Sequence, residues 1–141
     1  MSWSNYFQQF ILDTVHDLDT PTVPATVYVG LKTADPTAAG SGGTEPTIGT
    51  GGYARIPITQ ATDLERSGET VDNIGAESFP ESTAAWSTGA TELTHFEVRD
   101  ASTAGNLLWY GQLPVPRAVN AAGITLTIPA GALTSRAEPT P

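Results

Sequence analysis

The fold of this chain is indicated most clearly by residues 25–33, which read ATVYVGLKT. In this stretch Val27, Val29 and Leu31 recur at every second position. A period of two is typical of a β-strand that has one face against a hydrophobic core. We therefore predict a half-buried strand over residues 25–33.

Several segments further along the chain also have the composition of short strands. Residues 53–60 alternate in the same way and contain Pro57, which has no N–H to donate and therefore indicates a strand at a sheet edge. Residues 100–106 (DASTAGN) are predicted to be a hairpin loop, in which Gly105 and Asn106 suit positive φ angles. The other strand candidates are residues 73–79, 93–99, 107–113 and 124–128, with a short one near Leu133.

Two segments between the strands are predicted to be loops. Residues 36–52 (PTAAGSGGTEPTIGTGG) are poor in apolar residues, so we interpret them as a mobile surface loop. Residues 63–72 (DLERSGETVD) are interpreted as a second polar loop. Six to seven short strands without interleaved helices predict a mostly-β fold. The expected architecture is an antiparallel β-sandwich or partly open barrel, preceded by one N-terminal amphipathic helix.

The N-terminal helix is predicted over residues 4–17, with Ser2 or Ser4 as its N-cap. Apolar side chains recur there at helical spacing, and Pro21 and Pro24 end the helix because proline cannot continue one. Aromatic residues are enriched at the centres of interfaces, so the helix either packs on its own sheet or docks onto another subunit. The candidate interface residues are Trp3, Tyr6, Phe7, Phe10 and Ile11.

These patterns divide the chain into three parts. Residues 1–20 hold the helix and the start of a linker, residues 21–136 the β-sandwich domain, and residues 137–141 (AEPTP) an extended C-terminal tail. A length of 141 residues suffices for one domain with a real core. The opening stretch MSWSNYFQQFILDTV lacks a positively charged start and interrupts its apolar residues with polar ones, so we expect neither a signal peptide nor a membrane span.

The charge and the cysteine count exclude several classes of function. Six basic residues against fifteen acidic ones give a net charge of −9, which disfavours binding to the phosphates of nucleic acids. The chain has no cysteine, so it has no disulfide, no thiolate zinc site and no cysteine nucleophile.

Motifs for catalysis, metal binding or cofactor binding are not found in the sequence. His16 and His95 are the only histidines available as a base, and no G-x-S-x-G motif accompanies them. His95 shares its strand face with Glu97 and Arg99, which indicates a structural or surface position. The acidic residues around His16 lack the ligand spacing of a zinc or calcium site, and the glycines of residues 40–52 match no phosphate-binding motif. We predict no catalytic residue, no metal, no cofactor and no enzyme activity.

A set of short motifs extends over nearly the whole chain. They are Asn5-Tyr6, Ile11-Leu12-Asp13, residues 24–36 (PATVYVGLKTADP), residues 51–55 (GGYAR), Phe79-Pro80, Trp86, Thr94-His95-Phe96, Asp100-Ala101, residues 105–108 (GNLL), Pro116-Arg117, Val119-Asn120-Ala121 and residues 128–133 (IPAGAL). In this order and spacing the chain resembles a family of small virion structural proteins of tailed phages. Its members are described as tail-fibre-like, minor tail or capsid-decoration proteins. The resemblance implies no catalytic residues.

Two functions are expected from this resemblance. The first is a capsid decoration, or cement, subunit on the exterior of the virion, made in the host cytoplasm, that stabilises the shell. The second is a tail-associated ring or fibre protein that contacts the host surface. If its aromatic residues were exposed, they would stack on carbohydrate, the candidates being Tyr53, Trp86, Trp109 and Tyr110. For Trp86 and Trp109 a position in the core is the favoured interpretation.

The partners expected in either case belong to the same particle. They are the major capsid protein or tail proteins, together with further copies of this chain in a homo-oligomer, of which a trimer is one form. Neither nucleic acid nor membrane is expected as a partner. A cell-wall hydrolase is a third function class, for which the sequence offers no site.

Overall fold

Antiparallel strands are the main regular secondary structure of the described chain, which a computed structural model covers from residue 2 to residue 137. The helices are α1 (Asn5–His16) and the short α2 (Gln60–Asp63), and a 3-10 turn spans Thr50–Gly52. The strands are β1 (Ser2–Trp3), β2 (Thr26–Lys32), β3 (Ile56–Thr59), β4 (Leu64–Ser67), β5 (Thr70–Asn73), β6 (Glu77–Ser78), β7 (Leu93–Arg99), β8 (Leu107–Arg117), β9 (Thr127–Ile128) and β10 (Thr134–Arg136).

The main sheet contains five strands in the order β1-β8-β7-β2-β3, each antiparallel to its neighbours. Val29 of β2 lies opposite Val98 of β7, and Val98 lies opposite Trp109 of β8. A three-stranded sheet, β10-β5-β4, and a two-stranded sheet, β6-β9, complete the described strands. This confirms the predicted mostly-β, sandwich-like fold with one main helix near the N-terminus.

The half-buried strand that the period of two predicted is β2. Val27, Val29 and Leu31 are all buried in the core. The predicted edge position of Pro57 is also confirmed, because β3 is an outer strand of the main sheet and Pro57 is exposed there. A proline is tolerated at this position since an edge strand has one side without ladder hydrogen bonds.

An aromatic cluster lies in the core. The ring centroid of Trp86 lies 4.9 Å from that of Tyr53 and 6.4 Å from that of Phe79, both in edge-on geometry. The indole Nε1–H of Trp86 donates a hydrogen bond of 3.1 Å to the carbonyl of Gly51. Edge-on aromatic pairs add to the stabilisation from buried area, so this cluster is a main support of the fold.

Two loop and strand predictions are wrong. Residues 63–72, predicted as a polar loop, contain most of the hairpin β4–β5, which turns at Gly68 with a φ of 62°. Its strands carry mostly polar side chains that lie at or near the surface, so no apolar alternation marked them. The strand predicted over residues 73–79 is interrupted between β5 and β6, where Ile74 is exposed.

The loop of residues 36–52 is not wholly superficial as predicted. Pro36 and Pro46 are buried, and the loop is tied to the end of β2 by a 3.1 Å hydrogen bond from the Thr33 N–H to the Thr44 carbonyl. This loop also brings the carboxylate of Glu45 to the main sheet. Of the predicted C-terminal tail, residues 138–141 lie outside the described chain.

Candidate functional site

The start of α1 is fixed to the main sheet through Ser4. The Ser4 side chain accepts a 3.0 Å hydrogen bond from the Phe7 N–H as the N-cap, and its hydroxyl donates to the Leu107 carbonyl. The Ser4 N–H donates to the Leu108 carbonyl at 2.9 Å. A buried cap with both backbone and side-chain bonds to β8 places the helix at the sheet edge.

The five candidate interface residues are divided between the core and the surface. Trp3 lies in β1 opposite Trp109, and it packs against the core together with Phe7, 5.2 Å away between ring centroids. Phe10 and Ile11 are half-buried, whereas Tyr6 is 40% exposed. The helix therefore packs on its own sheet through Phe7, which contacts Trp3 of β1, whereas Tyr6 contributes to its exposed face.

An exposed apolar row follows on the second half of α1 and just beyond its end. We define the row as Leu12, Val15 and Leu18, whose exposed fractions are 55%, 71% and 75%. Leu12 and Val15, three residues apart on α1, are surface neighbours, and Leu18 follows after the helix has ended. Carboxylates from Asp13, Asp17 and Asp19 alternate with the row in sequence, and the chain has no lysine or arginine before Lys32.

A network of charged side chains lies on the main sheet around β2 and β7. Arg55 Nε and Nη2 donate to the two carboxylate oxygens of Glu45, both at 2.7 Å. Arg55 Nη1 donates to the carbonyls of Ala101 and Ala104, both at 2.8 Å. One guanidinium thus joins two loops, and its bidentate geometry is the strong form of this ion pair.

A second carboxylate, that of Glu97, completes this ion network and is fully buried, with 0% exposure. Its Oε2 accepts a 3.0 Å hydrogen bond from Arg99 Nη2 and lies 3.8 Å from Lys32 Nζ. Its Oε1 lies 3.8 Å from Arg55 Nη2. A buried carboxylate is tolerated only when cations surround it, so these five side chains depend on one another.

The sequence did not reveal this network. The alternation of residues 93–99 placed Glu97 on one strand face with His95 and Arg99, but it gave no indication that Glu97 is fully buried. One signal was present. Glu45 is the only charged residue of the loop of residues 36–52, which indicates a specific partner.

The ion network makes the stability of the protein sensitive to acid. Burial raises the pKa of Glu45, but the hydrogen bonds and charge of Arg55, with Tyr53 and Arg99, outweigh it and hold the pKa below its ordinary value of 4.5. A lowered folded-state pKa contributes stability that is present above pH 4.5 and is lost as the pH falls towards the folded value. As the pH falls through that range, we expect the urea unfolding midpoints of the Glu45→Gln protein and of the wild type to converge.

The matched control for this prediction is Glu92→Gln, which removes an exposed carboxyl group. At neutral pH the E45Q protein should be clearly less stable than the wild type, and the E92Q protein should not. Equal unfolding midpoints of the wild type and E45Q at neutral pH would contradict the prediction.

Gly30 provides the space that the network needs. A Cβ at this position would lie 2.8 Å from Glu45 Oε1 and 3.3 Å from the Tyr53 hydroxyl. We expect Gly30→Ala to lower the free energy of unfolding by about 1–3 kcal/mol, because an overpacked site must shift its neighbours. Gly75→Ala is the control, since a Cβ there meets no atom within 4 Å. Thermal unfolding of both variants tests the prediction, and equal losses would contradict it.

The residues considered as catalytic or metal-binding candidates do not form a common site in the structure. His95 is half-buried on β7 with its Nδ1 2.8 Å from Thr94 Oγ1, and His16 lies at the exposed end of α1. Among residues 2–137, no three His, Asp or Glu side chains are grouped so that they could hold a metal ion. Within the same residues, no helix has the length and apolar character to cross a membrane.

The four aromatic residues considered for carbohydrate stacking form no exposed cluster, and Trp86 and Trp109 lie in the core as the sequence favoured. All four are buried, because they belong to the strands and turns that cover the core: Tyr53, Trp86, Trp109 and Tyr110. Tyr6 is the aromatic residue with substantial exposure at a cleft. The cleft has a volume of about 430 Å³ and lies between the start of α1, the loop around Gly40 and the β7–β8 turn.

The sequence matches a known protein family over nearly its whole length. A family model described as podophage GP4 fiber I protein gp80 matches residues 2–136, and a search of curated proteins finds no match. The mostly-β chain is therefore a bacteriophage structural protein and a component of the virion. It belongs to the podophage GP4 fiber I protein gp80 family. The resemblance to tailed-phage virion structural proteins is thereby confirmed.

Proposed function

We propose that this protein is a non-enzymatic component of a fibre attached to the tail and exposed on the exterior of the particle. The observation that carries the proposal is the match of a fibre protein family over residues 2–136. Of the two functions expected from the sequence, the fibre description favours the tail-associated one. The capsid decoration role is the alternative that particle labelling, described below, would reveal.

The exposed apolar row supplies a surface for attachment. Leu12, Val15 and Leu18 are exposed apolar side chains near one another in the sequence, and their own sheet leaves them uncovered. The neighbouring carboxylates make a second copy an unfavourable occupant, since like charges would face each other. The partner is a tail protein of the same particle with an apolar surface rimmed by lysine or arginine. A homo-oligomer is still predicted, but it would form through other faces of the molecule.

The absence of enzyme activity is part of the proposal. Support comes from the two carboxylates of the ion network, because the half-buried Glu45 is held by Arg55 and the fully buried Glu97 by Arg99. A carboxylate that acts in glycoside hydrolysis must instead face its substrate. Turnover of purified cell wall or of host polysaccharide by the isolated chain would overturn this part.

Labelling of intact particles tests the location. Gold-conjugated antibody against this chain should mark the tail region in electron micrographs and leave the capsid unlabelled. The copy number from stained gels of purified virions should match a few fibres per particle. Label spread over the capsid, with a copy number in the hundreds, would establish the decoration role and overturn the fibre proposal.

A matched pair of substitutions tests the attachment surface. Val15→Ser lies in the row and Val115→Ser lies elsewhere, and the two side chains have nearly equal exposed fractions of 71% and 74%. We expect V15S to reduce incorporation into particles when the wild-type gene is absent, and V115S to leave it unchanged. Both variants should unfold at the wild-type temperature, since neither side chain is buried. Full incorporation of V15S together with the double variant L12S/L18S would exclude the row as the attachment surface.

A further inference from the structure

The outer edge of β3 has two backbone positions that point away from the main sheet. The Gln60 N–H, just after β3, donates to the Ala25 carbonyl at 3.0 Å, so Gln60 faces the β2 side. Every second residue of an antiparallel strand bonds to the same neighbour, and the register of β3 against β2 is unbroken. The backbone groups of Pro57 and Thr59 therefore lie on the outer side, where the sheet ends.

Neither of these two positions offers a free hydrogen-bond donor. Pro57 has no N–H. The Thr59 N–H donates to Asp63 Oδ2 at 2.7 Å, and this carboxylate belongs to α2, which begins directly after the strand. A strand that approached β3 from outside would therefore find no outward N–H within β3 to bond to.

The opposite edge of the main sheet is closed in a similar way. The Ser4 N–H donates to the Leu108 carbonyl of β8, so Trp3, one residue earlier, directs its backbone groups away from β8. The Trp3 carbonyl accepts a 3.2 Å hydrogen bond from Gln8 Nε2 of α1. At each end of the sheet, a side chain from the helix that follows the edge strand thus occupies an outward backbone group.

An open edge at β3 would allow two copies of this chain to pair. The unpaired backbone groups of an edge strand are a template for another strand. The β3 strand carries Ile56 and Ile58 on its core face, and β-branched residues favour strand pairing. Each copy has the same edge, so two copies could pair across a twofold axis.

We infer that the contact between Asp63 and the Thr59 N–H, together with Pro57, is an autoinhibitory device that prevents β3 from pairing with β3 of a second copy. Its effect is to keep neighbouring copies from joining their main sheets edge to edge. Association of copies through other faces of the molecule is not affected. The inference goes beyond the proposed function and applies wherever the protein lies in the particle.

The double variant Pro57→Val/Asp63→Ala tests the inference, because it introduces one outward N–H and frees the other. Sedimentation velocity over a range of concentrations measures association. The mass of P57V/D63A should rise with concentration to about twice that of the wild type, because one shared edge joins two copies. Hydrogen exchange at the amides of residues 57 and 59 should slow in the associated form. An unchanged mass, or association without this slowing, would overturn the inference.

The matched control is the double variant Pro80→Val/Asp19→Ala. Pro80 is exposed outside any strand, and Asp19 Oδ1 accepts a 2.8 Å hydrogen bond from the Thr20 N–H beyond the end of α1. P80V/D19A also removes one proline and one carboxylate and frees one N–H, but not at a sheet edge, so it should sediment as the wild type does. Equal association of the two double variants would overturn the inference. If P57V/D63A does not fold, P57V is compared with P80V. P57V opens one donor and should associate more than P80V, and equal masses would again overturn the inference.

Discussion

Replacement of Arg55 by alanine should lower the free energy of unfolding by about 3–5 kcal/mol, because it leaves buried charges without their partner. Arg55 holds both oxygens of Glu45 and lies 3.8 Å from the fully buried Glu97. Its bonds to Ala101 and Ala104 would also be lost. Urea denaturation followed by circular dichroism at neutral pH measures the change.

Arg66→Ala is the control for this substitution. Arg66 is exposed and donates one hydrogen bond, to the Gly68 carbonyl, so its loss should change stability by less than about 0.5 kcal/mol. Arg55→Lys keeps the charge but cannot make the bidentate pair, and should give an intermediate loss. If R55A and R66A unfold at the same urea concentration, the ion network does not stabilise the fold. If R55A cannot be purified, the comparison of R55K with R66A decides the same question.

Replacement of Trp86 by alanine should produce a loss of similar size, about 3–5 kcal/mol, for a different physical reason. The indole is 1% exposed and packs edge-on against Tyr53 and Phe79, so truncation leaves a large cavity between the rings. The surrounding strands cannot collapse fully into that space. Thermal and urea unfolding should both show the loss, with no change in the helical signal of the folded state.

The Trp86→Phe variant distinguishes the contribution of the aromatic ring to stability from that of its hydrogen bond. Phenylalanine keeps an aromatic ring in the cluster but loses the Nε1–H bond to the Gly51 carbonyl. That carbonyl still accepts a 2.9 Å bond from the Thr83 N–H, so it is not left without a donor. The W86F protein should therefore retain most of the stability that W86A loses. Equal losses in both variants would show that the hydrogen bond, and not the cavity, dominates.

The strands and the helix with clear periodicity could be predicted from the sequence. The strand predicted over residues 93–99 corresponds to β7 (Leu93–Arg99), and the helix start at Ser4 is confirmed by its capping bond to the Phe7 N–H. Both are local features, since alternation and capping depend on residues close together in the chain. The hairpin β4–β5 escaped prediction because its side chains are mostly polar and its strands are short.

The functional surfaces were predicted less well, because they depend on contacts between distant residues. Trp3 fits the apolar spacing of the helix, yet it lies in β1 opposite Trp109, more than a hundred positions away. Because Trp3 packs against the core, the exposed apolar residues of α1 are Leu12 and Val15 instead. The cleft likewise forms only when Asn5 and Arg99 are brought together.

By itself, the sequence determined that this is a mostly-β chain with one N-terminal helix, that it lacks the motifs of known catalytic sites, and that it resembles tailed-phage structural proteins. Periods, caps and prolines act over a few residues, so these conclusions needed no tertiary contacts. Only the tertiary structure decided that Glu45, Arg55 and Glu97 form one buried network. Which charged residues meet depends on strand pairing and loop placement between residues far apart in the sequence. No local sequence pattern predicts such contacts.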